Sequence, residues 1–134
     1  MKIPVIANGD VKTVYDAQKC IKISGADGVM IGRGAYGRPW FLNHVTKFLE
    51  MGKVPSQPTL TQQKIILLEH LDLMVTYYGF ENGARMARKH VSWYTKGLPL
   101  AAASRQRIYS SKNLSSLTKE IESLYENALE QMAA

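Results

Sequence analysis

The sequence predicts an α/β segment with parallel strands followed by an all-α domain, mostly helical overall. Three observations carry this. Two short apolar runs, Ile3-Pro4-Val5-Ile6-Ala7 and Gly28-Val29-Met30-Ile31, each end in a glycine-containing turn, and a segment of helical period lies between them. The stretch Glu50–Pro58 carries a glycine and two prolines and marks a boundary. Beyond it, apolar residues recur at three- and four-residue spacing to the end of the chain.

The elements follow in order. Ile3–Ala7 is apolar and β-branched, as a buried parallel strand is, with Pro4 near its start because it has no N–H to give a ladder. Asn8-Gly9-Asp10 is a turn, and Asp10 is the expected N-cap of a helix over 11–24. Val14, Ala17 and Ile21 share one face of that helix. Gly25 suits the left-handed position behind it, and Ala26-Asp27 leads into a second strand at 28–31. A strand–helix–strand unit of about 30 residues implies parallel strands with a right-handed crossover. Gly32-Arg33-Gly34-Ala35-Tyr36-Gly37-Arg38-Pro39 then leads to a helix that starts at Trp40.

After the boundary, Thr59 and Gln62 fit a capping box. The helix they open runs to Tyr78 with a stripe of Ile65, Leu68, Leu71, Val75 and Tyr78, and Gly79 ends it. A second helix spans Asn82 to Lys96, closed by Gly97, and a third lies between Leu100 and Tyr109. The last, Leu114 to Met132, carries Leu114, Leu117, Ile121, Leu124, Ala128 and Met132 on one stripe, widened by Tyr125 and Leu129. Four helices with short loops predict a four-helix-bundle-like domain over 59–134, joined by a linker at 51–58 to the α/β part at 1–50.

The loops carry the first chemical signal. Glycines at the carboxyl ends of parallel strands let a ligand approach the backbone. Arg33 and Arg38 can fork onto phosphate oxygens, and N–H groups at the following helix start favour an anion. Asn8-Gly9-Asp10 alone also reads as a turn and a cap; two such loops on consecutive parallel strands are the more specific pattern. Followed by an unrelated helical segment, they match the last two β/α units of a (β/α)8 TIM barrel. Such a barrel takes ~250 residues, so the chain reads as a C-terminal fragment of a longer enzyme. Unpaired strand edges in such a fragment imply either pairing with another copy, a homo-oligomer, or rearrangement of the strands.

Composition limits the partners. The net charge of +6 points to a polyanion. One cysteine excludes an internal disulfide framework and suits a reducing, cytoplasmic setting. No apolar stretch reaches the ~18–20 residues of a membrane helix, the start of the chain has no signal-peptide layout, and no metal-spaced Cys/His cluster occurs. Cys20 reads as a structural thiol and His44 as a surface or packing histidine. From Asn82 to Lys119 there are eight Lys or Arg and no acid. On the second helix, Arg85, Arg88, Lys89, Ser92 and Lys96 fall in one arc of roughly 100°. A solvated face usually mixes signs, because like charges one turn apart repel; an all-basic face favours a phosphate backbone. His90, Trp93 and Tyr94 are candidates to stack on bases, with core packing the competing role for Trp93 and Tyr94.

These residues carry a resemblance. Pro4–Asp10, Gly25–Gly34 and Gly37-Arg38-Pro39-Trp40, with Gly83–His90 and Trp93-Tyr94 further on, resemble the last part of a bacterial tRNA-dihydrouridine synthase, nearest the DusB branch. The resemblance implies an FMN-binding TIM barrel followed by a helical tRNA-binding domain. It implies NADPH as reductant of the flavin, hydride transfer to a flipped-out uridine of tRNA, and a cysteine that protonates the base. By motif match it implies that Asn8, Gly9, Asp10, Gly32 and Arg33 hold the FMN phosphate end. Arg85, Arg88, Lys89 and His90, with Lys96 on the same arc, are implied as the RNA-binding set. The family's catalytic cysteine lies on an earlier barrel loop, and Cys20 matches no catalytic motif, so this chain alone is expected to be inactive. Gly34 and 98–107 depart from the family pattern. The other readings are a stand-alone RNA-binding module without catalysis and the end of a different FMN barrel, such as a dihydroorotate dehydrogenase-like enzyme.

Overall fold

The computed structural model describes residues 2–99 and 101–134, in two compact units, Met1–Gln57 and Pro58–Ala134. The first unit runs β1 (Ile6–Asn8), α1 (Val14–Ser24), β2 (Gly28–Met30), a 3-10 turn (Arg33–Ala35) and α2 (Trp40–Met51). β1 and β2 pair in parallel, with Ile6 opposite Gly28, Ala7 opposite Val29 and Asn8 opposite Met30. Asp27 secures the entry to β1 from both sides. Its carboxylate accepts from Val5 N at 2.9 Å, and its own N–H donates to Val5 O at 2.8 Å.

Asp10 is not the N-cap of α1. Thr13 is: its hydroxyl accepts from Asp16 N, and the Asp16 carboxylate accepts from the Lys12 and Thr13 N–H groups at 3.1 and 2.9 Å. Threonine with an acid three residues on is a complete capping box, so it outcompetes the lone Asp10. Those backbone bonds, Lys12 first, hold the Asp16 carboxyl below its ordinary pKa. Gly25 closes α1 at φ 67°, as expected of a left-handed C-cap.

The core of this unit lies between α1, α2 and the inner side of the strands. It gathers Val11, Val14, Ala17, Phe41, Val45 and Phe48, with Cys20, Val29 and Ile31 half-buried against it. His44 is buried, in keeping with a packing role. The strands are not buried as expected. Val5, Ile6 and Met30 are more than half exposed, because a two-stranded sheet in this chain has a helical layer on one face only. Both strands are also shorter than the apolar runs that announced them.

The second unit consists of α3 (Leu60–Tyr78), α4 (Phe80–Tyr94), α5 (Ala101–Ser110) and α6 (Leu114–Ala133). α3 packs on α4 and α6, and α5 packs on α6 and α4. The Thr59/Gln62 capping box forms, and a second one, Asn113 with Ser116, opens α6. Leu100, the expected start of the third helix, lies outside the described residues. α3 buries Leu67, Leu71 and Met74, whereas Ile65 and Tyr78 of the expected stripe are exposed. The run Ile65-Ile66-Leu67-Leu68 is apolar on every side, so periodicity cannot choose its inner face; contact with two helices does. α6 keeps its stripe at Leu117, Ile121, Leu124 and Ala128 with Tyr125 buried beside it as expected, while Met132 projects into solvent. α4 and α3 approach at Gly83, where a Cβ would lie 2.7 Å from both Met74 O and Val75 Cα.

Candidate functional site

The loop after β1 and the loop after β2 meet at one open cleft of about 940 Å³. All five residues matched to a phosphate site, Asn8, Gly9, Asp10, Gly32 and Arg33, line it. Lys12, Tyr36 and Arg38 line it too. Parallel pairing sends both chain segments out of the sheet at the same end, which is why residues over twenty positions apart converge.

Two contacts lock the loops together. At Gly34 a Cβ would sit 2.0 Å from Val11 O, so only glycine permits this approach of backbone to backbone. Arg38 donates through Nε to Gly34 O at 2.8 Å and through Nη2 to Lys12 O, with its guanidinium 4.1 Å above the Phe41 ring. A planar fork with several donors can bridge two loops in this way while stacking on an aromatic face. Arg38 was expected to fork onto a ligand; two of its guanidinium nitrogens instead bind the protein's own carbonyls. The signal for that role was present in Arg38-Pro39-Trp40-Phe41, which places an aromatic ring one helical turn away.

Arg33 Nη2 stands 3.3 Å from Asp10 Oδ1, and both side chains are largely exposed, 82% and 74%. An ion pair this open is worth ~0–1 kcal/mol and is readily exchanged for another anion. Lys12, Arg33 and Arg38 face a single carboxylate, Asp10, so the cleft is cationic. That character comes from side chains and loop backbone. The expected helix-start contribution is reduced: α2 begins behind Pro39, which has no N–H, and the Phe41 and Leu42 N–H groups donate to Arg38 O and Pro39 O. The Lys12 and Thr13 N–H groups at the start of α1 are taken by Asp16. Cys20 does not line the cleft; it is half-buried against the core.

In the helical unit, Arg85 and Lys89 are exposed one turn apart on α4, and Arg88 is half-buried beside them. Arg85 Nη2 donates to Asn82 Oδ1 at 3.0 Å. Lys96 is exposed but not helical, because α4 ends at Tyr94 with Thr95 as its cap, so the helical arc does not extend to it. His90 is on a different side. Its ring centre is 4.7 Å from His70 of α3 and 5.0 Å from Trp93, both edge-on. Burial lowers the pKa of both histidines, and for His90 the neighbouring His70 adds to the effect. Tyr94 is buried, 3.2 Å from His70 Nδ1 through its hydroxyl, and burial raises its pKa to about 12. Packing thus claims Tyr94, while Trp93 keeps 38% exposure. Among the described residues no group of His, Cys, Asp and Glu could hold a metal ion, and no helix is long and apolar enough to cross a membrane.

The fold and site define a class: a parallel β/α unit whose two loops form a cationic cleft, followed in sequence by a basic helical unit. The family model for dihydrouridine synthase matches residues 1–133. The chain is 38% identical over 130 residues to a probable tRNA-dihydrouridine synthase of Rickettsia conorii, covering 97% of this chain and 39% of that protein. It is 44% identical over 102 residues to tRNA-dihydrouridine synthase B of Xanthomonas axonopodis, covering 76% and 31%. Against tRNA-dihydrouridine synthase B of Vibrio cholerae the identity is 36% over 127 residues, covering 95% and 39%. The chain therefore belongs to the dihydrouridine synthase family and is similar to its DusB members. It spans well under half the length of these curated relatives.

Proposed function

We propose that this chain serves a cytoplasmic, flavin-dependent tRNA-dihydrouridine synthase. It supplies the phosphate end of the FMN site, within the last two β/α units of a TIM barrel, and a helical tRNA-binding domain. The observation that carries the reading is the two-loop cleft. Its lining and charge suit a phosphomonoester: glycine backbone at Gly9, Gly32 and Gly34, three cations, and one exposed ion pair that an anion can displace. Asn8, Gly9, Asp10, Gly32 and Arg33 would hold the phosphate, with Arg38 fixing the loops around it. The chemistry a bound flavin supplies is hydride transfer to uridine, with NADPH as the reductant. Arg85, Arg88 and Lys89, with Lys96 in the following turn, would meet the tRNA backbone; His90, turned toward His70, would act at the margin of that surface. Cys20 is not among the residues that line the cleft and matches no catalytic motif, so the chain by itself is proposed to be inactive.

The test compares FMN with riboflavin, which differ in the phosphate alone, by quenching of flavin fluorescence with the full chain. FMN is expected to bind at least about tenfold more tightly, as one charge-assisted contact provides. Arg33→Glu is expected to erase the difference. Equal affinity for the two flavins, or no binding by the folded chain, would overturn the assignment of the cleft.

A further inference from the structure

The end of the loop after β1 is held from two sides. The Val11–Lys12 and Lys12–Thr13 peptides are consecutive planar units, each with its N–H and its C=O on opposite edges. Asp16 Oδ2 accepts from both N–H groups, Lys12 N at 3.1 Å and Thr13 N at 2.9 Å. Both carbonyls meet the loop after β2. Val11 O abuts Gly34, where a Cβ would lie 2.0 Å from it, and Lys12 O accepts from Arg38 Nη2. One carboxylate oxygen therefore fastens one edge of the two peptides that the second loop grips by the other. Lys12, which lines the cleft, is the residue between the two planes, so these four contacts set its φ and ψ. Asp16 is not among the cleft-lining residues; it lines a separate opening with Lys19 and Cys20. A carboxylate so near a cationic cleft has two opposed effects. By charge it repels an anion, and it occupies two N–H groups that an anion could use. By geometry it orders the loop. The contacts favour geometry, because the Arg38 fork fixes the separation of the loops only if the peptide it grips cannot turn. A bond at the C=O end alone leaves the plane free to rotate, and a charge-assisted bond at its N–H end removes that freedom.

We propose that Asp16 is a positioning residue for the anion cleft, holding the Lys12–Thr13 peptide against the Arg38 fork so that Lys12 and the second loop keep their places around a bound phosphate. This rests on the reading of the cleft as the phosphate end of an FMN site and adds to it a carboxylate that touches no anion. The Thr13–Asp16 capping box thereby has two separable halves. Thr13 Oγ1, accepting from Asp16 N, caps α1. The Asp16 carboxylate, accepting from the Lys12 and Thr13 N–H groups, orders the loop.

Those two halves supply the test, in the fluorescence titration of FMN against riboflavin with the full chain. Asp16→Ala removes the loop half. It is expected to weaken FMN binding about threefold to tenfold, as loss of part of a charge-assisted hydrogen bond does, and to leave riboflavin binding unchanged. Charge alone predicts the reverse sign, tighter FMN after removal of a carboxylate. Thr13→Ala removes the helix half. It is expected to lower the urea midpoint about as much as Asp16→Ala while FMN affinity stays within about twofold of the parent. Asp16→Asn keeps an acceptor without the charge and is expected to bind FMN more tightly than Asp16→Ala does. Unchanged or tighter FMN binding by Asp16→Ala, beside a parent that prefers FMN to riboflavin, would overturn the positioning role and leave the cleft assignment standing. Equal losses of FMN affinity in Thr13→Ala and Asp16→Ala would reduce the effect to helix stability and overturn it as well. A folded parent chain with no preference for FMN would overturn the cleft assignment and the role of Asp16 with it.

Discussion

Gly83→Ala should destabilise the helical unit, against the usual rule for an interior helix position. Replacing glycine by alanine inside a helix normally stabilises by ~1 kcal/mol through backbone entropy. Here the new methyl would lie 2.7 Å from Met74 O and Val75 Cα and 2.9 Å from Met74 C. All three are backbone atoms, so no side chain can swing aside. Ordinary contact is ~3.5–4.0 Å, so α3 and α4 must separate locally by about 0.8 Å. A gap of that size forfeits a quarter to a half of each contact across it. The two helices bury Leu67, Leu71 and Met74 on one side and Ala84, Ala87, Val91 and Tyr94 on the other. With roughly forty atom pairs at ~0.1–0.2 kcal/mol, the loss is about 1–4 kcal/mol, and the propensity gain offsets about 1 of it. The expected net cost is about 0–3 kcal/mol, centred near ~1.5, read as a lower urea midpoint with an unchanged m-value and a melting point lower by several degrees. A Gly83→Ala chain as stable as the parent, or more so, would refute the close helix crossing.

Two further perturbations test the cleft and the histidine pair. Arg38→Lys keeps the charge but loses the fork that joins Gly34 O to Lys12 O; amide exchange should accelerate in both loops, and FMN affinity should fall several-fold at unchanged net charge. His70 and His90 have pKa values below the ordinary 6.5, so protons bind first to the unfolded chain as pH drops. Stability of the helical unit should be level above pH ~6.5 and decline as pH falls from there toward the folded pKa values, and His90→Gln should make the decline shallower in urea titrations at stepped pH.

How much of this was legible in the sequence depends on what each feature competes with. Gly25, Thr59 with Gln62, and the α6 stripe are local signals with no rival nearby, and the structure keeps all three. Asp10 failed as a cap because Thr13-Val14-Tyr15-Asp16 is a stronger local solution three residues on. The α3 stripe failed because a helix apolar on several sides takes its inner face from its neighbours, which sequence spacing does not encode. The convergence of Asn8, Gly9, Asp10, Gly32 and Arg33 was legible, because parallel strands bring their exit loops to one end. The role of Gly34 was not, and for Arg38 only the aromatic ring at Phe41 was, not the two carbonyls it bridges. Each depends on how closely the two loops pass, a distance that no pattern of residue types records.

That distance also decides what kind of site the cleft is. A phosphate site built on a helix N-terminus takes its attraction from backbone dipoles fixed by the helix itself. Here Asp16 takes the Lys12 and Thr13 N–H groups ahead of α1, and the Phe41 and Leu42 N–H groups of α2 turn back to Arg38 O and Pro39 O, so the cleft leans on Lys12 and Arg33, on the Gly9 and Gly32 backbone, and on the frame around them. Exposed side chains contribute field but little order, and salt screens them. The order must come from the contact of Gly34 with Val11 and from the Arg38 fork, which hold two flexible loops at a fixed separation. Placing the fork on a guanidinium stacked over Phe41, and leaving Arg33 in a loose pair with Asp10, divides the work between one arginine that shapes the cleft and one that is free to meet an anion.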